Sequence, residues 1–231
     1  MAIMSKTRLV VFDMAGTTVK DIGAVPKSFI NAFRKYDMEI SKEEVKRVMG
    51  YKKVDAIKML LDRFHAERIN SKQGLAELIH QSFEKGIVDL YTSDNDLKSQ
   101  PHAEEIFSWL RQHDIRVALN TGFTRVITDA ILYKLNWKGN EMIDEVISSD
   151  EVEEGRPSPL MIQELRRRLK VGNANEVMKV GDTEVDVKEG RNAQCGVVVS
   201  VTTGAYSREQ LQTYQPDFII DNLSEIRSII K

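Results

Sequence analysis

"VVFDMAGTTV", residues 10–19, decides how this chain is read. Apolar residues run into Asp13, and small residues turn the chain straight afterwards. That is the pattern of a buried parallel strand whose last residue is a carboxylate, placed at the strand end where open α/β sheets bind their ligands. Two residues on stands Ala15, so no second acid sits beside Asp13. The chemistry therefore has to be explained with a lone anion.

Outward from this stretch, similar β-rich runs recur: "RLVVFD" (8–13), "RVALNT" (116–121), "DEVISS" (144–149), "VMKVGD" (177–182), "GVVVSV" (196–201) and "DFIID" (217–221). Helical patterns near 102–113, 124–136, 158–170, 185–193, 207–213 and 223–230 separate them. Alternation of this kind predicts an α/β fold, a Rossmann-like parallel sheet with crossover helices. Between Val25 and Tyr91 the alternation stops. "PKSFINAFRKY", "SKEEVKRVMG", "YKKVDAIKMLLDRFHAE" and "SKQGLAELIHQSFEKGIVDLY" read as amphipathic helices, with Ser41 and Glu44 spaced as a capping box and Pro26 in a first turn. The expected organisation is a core of residues 1–22 and 94–231 and a helical cap domain, 23–93, inserted after the first strand. "TSDNDLKSQP" (92–101) reads as the return linker, and two chain crossings at one place make a hinge.

The bulk composition excludes several classes. The 231 residues carry 33 Lys and Arg against 35 Asp and Glu, a formal charge of -2, which suits neither a nucleic-acid nor a membrane-surface partner. No apolar run approaches the roughly 20 residues of a membrane helix, and "MAIMSKTR" lacks a signal-peptide core. One cysteine, Cys195, precedes "GVVVSV"; it forbids an internal disulfide, fits a cytoplasmic protein and reads as a buried core residue.

The expected strand ends gather chemistry. The first ends in Asp13, the second in Thr121-Gly122, the fourth in Gly181-Asp182 with Asp186 four residues on, and "EEGRPSP" brings Arg156. Two like charges about 4 Å apart repel by about 4 kcal/mol at an effective dielectric of about 20. A divalent cation removes that cost, and all-oxygen ligands of this kind favour Mg²⁺. Thr121, the Gly122 N–H and Arg156 then supply donors to phosphate oxygens. "DTEVD" (182–186) begins like a calcium loop, but the obligatory sixth-position glycine is Val187, which rejects that reading.

With these motifs in view, the chain resembles the haloacid dehalogenase-like hydrolase superfamily: "FDMAGTTV", "LNTGFTR", "EGRPSP" and "VGDTEVDVKEGRNA" match its four motifs, and the insert falls where its helical cap belongs. Within it the likeness is to phosphonoacetaldehyde hydrolase and the phosphonatase-like group, which share Ala at position 15 and Arg at position 156, and whose cap Met, Gly and imine-forming lysine align with Met49, Gly50 and Lys53. The resemblance implies Asp13 as nucleophile, with Lys53, Thr121 and Arg156 as catalytic partners. It implies Mg²⁺ on Asp13, the Ala15 carbonyl, Asp182 and Asp186. Gly16, Thr17, Met49, Gly122 and Phe123 fall on the substrate side. The implied partner is a small phosphorylated or phosphonate metabolite, with a homodimer through the cap. Two positions depart from the group: Ala56 stands where it has His, and Phe123 where it has Tyr.

Ala15 and Lys53 make sense together. An acid at position 15 would protonate a departing alkoxide, help typically worth about 100- to 10,000-fold in rate. A carbon leaving group instead needs an electron sink, and an iminium between Lys53 and an aldehyde supplies one. At the reference pKa of about 10.4 only about one lysine in 2,500 is neutral at pH 7, so burial or a cation such as Lys52 has to lower it. Against this stands Lys53 as a solvated residue in a lysine-rich cap. Three functions stay open: P–C hydrolysis through a Lys53 imine, phosphatase action on a small ester without an imine, and a catalytically silent binding module. Elsewhere, His65, His80, His102 and His113 lack metal-ligand spacing, Arg166 to Arg168 and Lys170 read as a solvated face, and Trp109 and Trp137 as packing residues. Lys179 reads either as a structural cation or as one facing the carboxylates.

Overall fold

The computed structural model of the protein describes residues 7–20, 23–65, 74–93 and 97–230. Its strands are β1 (Leu9–Asp13), β2 (Arg116–Thr121), β3 (Glu145–Ser148), β4 (Val177–Gly181), β5 (Val197–Val201) and β6 (Phe218–Ile220). They form one parallel sheet in the order β3-β2-β1-β4-β5-β6. The consecutive apolar residues follow from burial on both faces: Val10 and Phe12 enter one core cluster, Leu9 and Val11 the other. After β1 the chain adds strands on one side, then crosses to place β4 on the other. Asp13 pairs in register with Asn120 of β2, and Phe12 with Val180 of β4. A topological switch of this kind opens a crevice at the strand ends, where Asp13 lies.

Between β1 and β2 come α1 (Ala24–Arg34), α2 (Lys42–Lys46), α3 (Lys53–Phe64), α4 (Leu75–Ser93) and α5 (Ala103–Gln112). The helices α6 (Arg125–Lys134), α7 (Leu160–Leu169), α8 (Glu184–Asn192), α9 (Arg208–Gln212) and α10 (Ile226–Ile229) follow. From α1 to α4 no strand occurs among the described residues. These four helices share a buried apolar interior that includes Phe29, Phe33, Ile57, Leu60 and Phe83, with the Phe29 and Phe83 rings 4.5 Å apart. Ser41 and Glu44 do form a reciprocal capping box. The chain leaves and re-enters the sheet side by side: Val19 bridges Ser99 antiparallel, Lys20 N–H donates to the Lys98 carbonyl at 2.9 Å, and Gln100 N–H to the Thr18 carbonyl at 2.8 Å.

Boundaries differ where local chemistry intervenes. The second helix stops at Lys46, because the chain turns before Gly50 at φ +87. Helix α4 continues through Thr92 and Ser93, which read as linker, while residues 94–96 of that linker lie outside the described residues, as do the first six residues and 66–73. The C-terminal pattern is split into a 3₁₀ turn at Leu223–Glu225 and the short α10, since Asn222 caps the turn itself. Trp137 packs edge-on against Phe107, and Trp109 stacks on His113. The arginines of α7 are not a bare solvated face: Arg168 reaches Glu164 and Glu151, while Arg166 reaches the Val171 carbonyl. No helix among the described residues is long and apolar enough to cross a membrane.

Candidate active site

Each acid arrives by a different local device. Strand β1 carries Asp13 to its end, where the side chain is buried. Asp182 follows the last residue of β4. Thr183 caps α8, and Asp186 returns to that cap: Asp186 Oδ2 accepts from Thr183 N–H at 3.2 Å and from its hydroxyl at 2.6 Å. So "DTEVD" is a capped helix start. One oxygen from each of Asp13, Asp182 and Asp186 lies within 4.8 Å of the others.

The loop after β1 seats Asp182. Gly16 has φ +91, and a Cβ there would lie 2.6 Å from Asp182 Oδ2. Thr17 Oγ1 donates to Asp182 Oδ1 at 3.1 Å, and Ala205 N–H donates to Oδ2 at 2.6 Å. Gly16 and Thr17 thus lie against this acid.

Arg156 ties the other two together. Its Nη2 donates to Asp13 Oδ1 at 2.7 Å and its Nη1 to Asp186 Oδ1 at 2.5 Å, while its buried Nε has no partner. Lys179 Nζ adds a contact to Asp186 Oδ1 at 3.1 Å, so of the two readings of Lys179 it does face the carboxylates, although fully buried. Burial works against the charge of Asp186, but Lys179 and Arg156 outweigh it and hold the carboxyl down at about 2. Asp13 goes the other way: burial raises it despite Arg156. Asp182 rises most, through burial and the like charges of Asp13 and Asp186.

These acids fit a divalent cation. The buried set comprises Asp13, Asp182, Asp186 and Glu189 against Arg156, Lys179 and Lys53, so the acids outnumber the bases by one even with Lys53 charged. Each oxygen of Asp186 takes two protein donors, whereas each oxygen of Asp182 takes one and Asp13 Oδ1 takes one, so lone pairs stay open on Asp13 and Asp182, the two acids pushed upward. An all-oxygen site with this imbalance suits Mg²⁺.

Lys53 enters from the helical segment as the first residue of α3. Its N–H donates to the Gly122 carbonyl at 3.2 Å and its Nζ to the Tyr51 carbonyl at 3.1 Å, and Nζ sits 5.0 Å over the Phe123 ring. The residue is 4% exposed. Burial, then the Arg156 charge, lowers its pKa to about 7, against the pull of Asp13. Lys53 is therefore no solvated surface lysine.

Asp13, Ala15, Met49, Lys53, Thr121 and Arg156 line one cavity of about 20 Å³, room for about one water, and Gly122, Phe123 and Asp182 also line it. Thr121 Oγ1 accepts from Phe123 N–H at 3.2 Å. Ala56, three residues on from Lys53 in α3, is buried, and Phe123 meets Tyr91 edge-on. The turn Gly50–Lys53 is gripped by three core loops. A Cβ on Gly122 would stand 2.3 Å from the Tyr51 carbonyl, one on Gly155 2.5 Å from Lys52 Cβ, and one on Gly50 2.6 Å from Thr183 Oγ1.

Sequence reading missed Thr183 and the Gly204–Ala205 loop behind Asp182, and it missed Asn120 and Glu189. The polar letters of "ALNTG" and "DVKEG", set in buried elements, were the available signal. Cys195 is buried, with burial pushing its thiol up to about 12, far from a nucleophile.

The haloacid dehalogenase-like hydrolase family model matches residues 10–200. A phosphonoacetaldehyde hydrolase of Bacillus mycoides (strain KBAB4) is 30% identical over 238 residues, 96% of this chain and 88% of that protein. That of Bacillus anthracis is 30% identical over 233 residues, with 96% and 88% covered. Among solved structures, a phosphonoacetaldehyde hydrolase-like protein from Oleispira antarctica superposes with a TM-score of 0.83 at 21% identity, covering 98% of this chain and 92% of that one. A predicted phosphoglycolate phosphatase from Haemophilus somnus gives 0.82 at 19% identity, covering 99% and 100%. These two likenesses speak for the fold alone.

Proposed function

The chain belongs to the haloacid dehalogenase-like hydrolase family, and from that premise we propose that it is a Mg²⁺-dependent phosphonatase-like enzyme that cleaves the P–C bond of phosphonoacetaldehyde or a related small phosphonate. One observation carries the reading: a buried lysine with a pKa of about 7 shares a cavity with Asp13, while position 15 holds no acid. At neutral pH about half of such a lysine is the free amine that adds to an aldehyde.

Residues 23–93 act as the cap, opening to admit substrate and closing to exclude water. The Lys53 amine adds to the aldehyde carbonyl and loses water, giving an iminium. An Asp13 oxygen then attacks phosphorus. As the P–C electron pair moves into the iminium, an enamine leaves and Asp13 carries the phosphoryl group. Water hydrolyses the aspartyl phosphate, and hydrolysis of the enamine's imine tautomer frees Lys53. Mg²⁺, held by Asp13, the Ala15 carbonyl and Asp182 with Asp186 in support, would neutralise charge on the phosphoryl oxygens. Thr121 and the Gly122 N–H orient those oxygens. Arg156 keeps Asp13 aimed and has its unpartnered Nε to offer.

The test is borohydride trapping. With phosphonoacetaldehyde and Mg²⁺, borohydride should inactivate the enzyme and leave its label on Lys53, and Asp13→Asn should abolish phosphate release while still permitting the label. Turnover of phosphonoacetaldehyde without any label sinks the imine. A second reading, a phosphatase acting on a small phosphate ester, is favoured by Ala56 and Phe123, two side chains that carry no proton donor of their own. In that case ester turnover survives Lys53→Ala and still depends on Asp13.

A further inference from the structure

Behind the acids lies a second polar layer that the proposed chemistry does not touch. Lys179 is the middle residue of β4, fully buried among Leu9, Val11, Ala118 and Val198, residues of an apolar core cluster. Its Nζ donates to Asn120 Oδ1 at 2.6 Å, on β2, and pairs with Glu189 Oε2 at 3.0 Å, on α8. Asn120 closes the triangle, its Nδ2 donating to Glu189 Oε1 at 2.7 Å. Because β1 runs between β2 and β4, the Lys179–Asn120 bond crosses underneath the end of β1, next to Asp13. The third contact of Lys179 is Asp186 Oδ1, the same oxygen that receives Arg156 Nη1. The charges therefore form one buried chain, Glu189–Lys179–Asp186–Arg156–Asp13.

Stability does not account for this layer. Taking charges out of water is costly, and replacing a buried ion pair by well-packed apolar residues is often neutral or stabilising. Strand β4 already offers valines and a methionine around position 179. Burial works against the Lys179 charge, yet Glu189 and Asp186 outweigh it and hold the ammonium above the ordinary lysine range, so it stays a cation. What a fixed cation at this spot does is pin Asp186 from behind. Arg156 then has one geometry available, with one arm on Asp186 and the other on Asp13.

We infer that Lys179, Glu189 and Asn120 are positioning residues, a rear clamp that acts through Asp186 and Arg156 to aim the Asp13 carboxylate. The inference rests on Asp13 being the phosphoryl acceptor, but the clamp has its own readout. Lys179→Met combined with Glu189→Leu removes the pair without leaving either charge alone. In a crystal structure of this double variant the Arg156 guanidinium should let go of Asp13 or Asp186, where it now makes contacts of 2.7 and 2.5 Å. With p-nitrophenyl phosphate and Mg²⁺, kcat should fall roughly 10- to 100-fold while KM stays within about threefold, the signature of an interaction lost mainly in the transition state. An Arg156 that stays on both acids overturns the clamp, whatever the activity. So does a kcat loss that only tracks lost folding. Should the double variant fail to fold, Asn120→Ser cuts the bridge between Lys179 and Glu189 and keeps every charge; it should lower kcat severalfold at unchanged Tm, and unchanged kcat overturns the clamp. Wild-type activity that survives Asp13→Asn sinks the acceptor reading instead and leaves the Arg156 geometry to decide the clamp.

Discussion

Lys53 shows how one side chain can be costly to the fold and useful to the reaction. Its folded pKa of about 7 lies below the ordinary lysine value of 10.5, so between those pH values the unfolded chain holds more protons than the native one. Stability therefore rises with pH across that window and the penalty is fully present below it. Lys53→Met should stabilise the protein at pH 7, by roughly 2–3 kcal/mol after allowance for imperfect repacking. The gain should shrink toward zero near pH 10, and urea titrations at the two pH values measure it. In the proposed reaction the free amine is the attacking species, so borohydride labelling of Lys53 should climb through pH 7 and level off above pH 8. A label flat from pH 5 to 9 contradicts the depressed pKa. Asp186 carries the opposite sign, since a carboxyl held at about 2 contributes stability above the usual carboxylate pKa and loses it as pH falls toward 2.

At the scale of elements, the glycines of the three gripping loops are the sensitive points. Gly122→Ala would drive a Cβ to 2.3 Å from the Tyr51 carbonyl, a backbone atom that can yield only if the turn carrying Lys53 withdraws. It should cost roughly 10- to 100-fold in kcat/KM, the scale of a misplaced reacting group, with Tm lowered by only a few degrees. Gly86→Ala in α4, where nothing lies within 4 Å of the new Cβ, should instead stabilise the protein by about 0.5–1 kcal/mol and leave the kinetics alone; thermal melts and steady-state rates separate the two. The strands were legible because a sheet buried on both faces demands uninterrupted apolar runs, and Asp13, Thr121 and Asp182 mark where those runs stop. The boundaries of α2 and α4 were less so, since hydrophobic period alone does not say where a chain turns, and Gly50 with its positive φ settled the first. Lys179 stood out as a charge within an apolar strand, but its partners lie 59 residues away at Asn120 and on the next helix at Glu189. Pairings across β1 are a product of strand order, which no single stretch of sequence displays.

For the molecule as a whole, the excess of buried acids over bases at the crevice links folding to cation binding. A ligand bound only by the native state stabilises it by RT ln(1 + [L]/Kd), about 2.7 kcal/mol at 100 times Kd. Millimolar MgCl₂ should therefore raise Tm by several degrees in the wild type and by far less in Asp182→Asn, a comparison that needs no substrate and is read by differential scanning fluorimetry. An equal rise in both proteins places the cation elsewhere.

The paired crossing at Val19 and Ser99 has a consequence beyond motion. Main-chain bonds close the insert's base into a narrow neck, so the sheet registers Asp13 without reference to what the loop above encloses. Whatever residues are exchanged in the head, β1 still ends on Asp13 at the same height. Evolution, or an engineer, can thus graft a new head onto this stem while leaving the acids at the strand ends untouched.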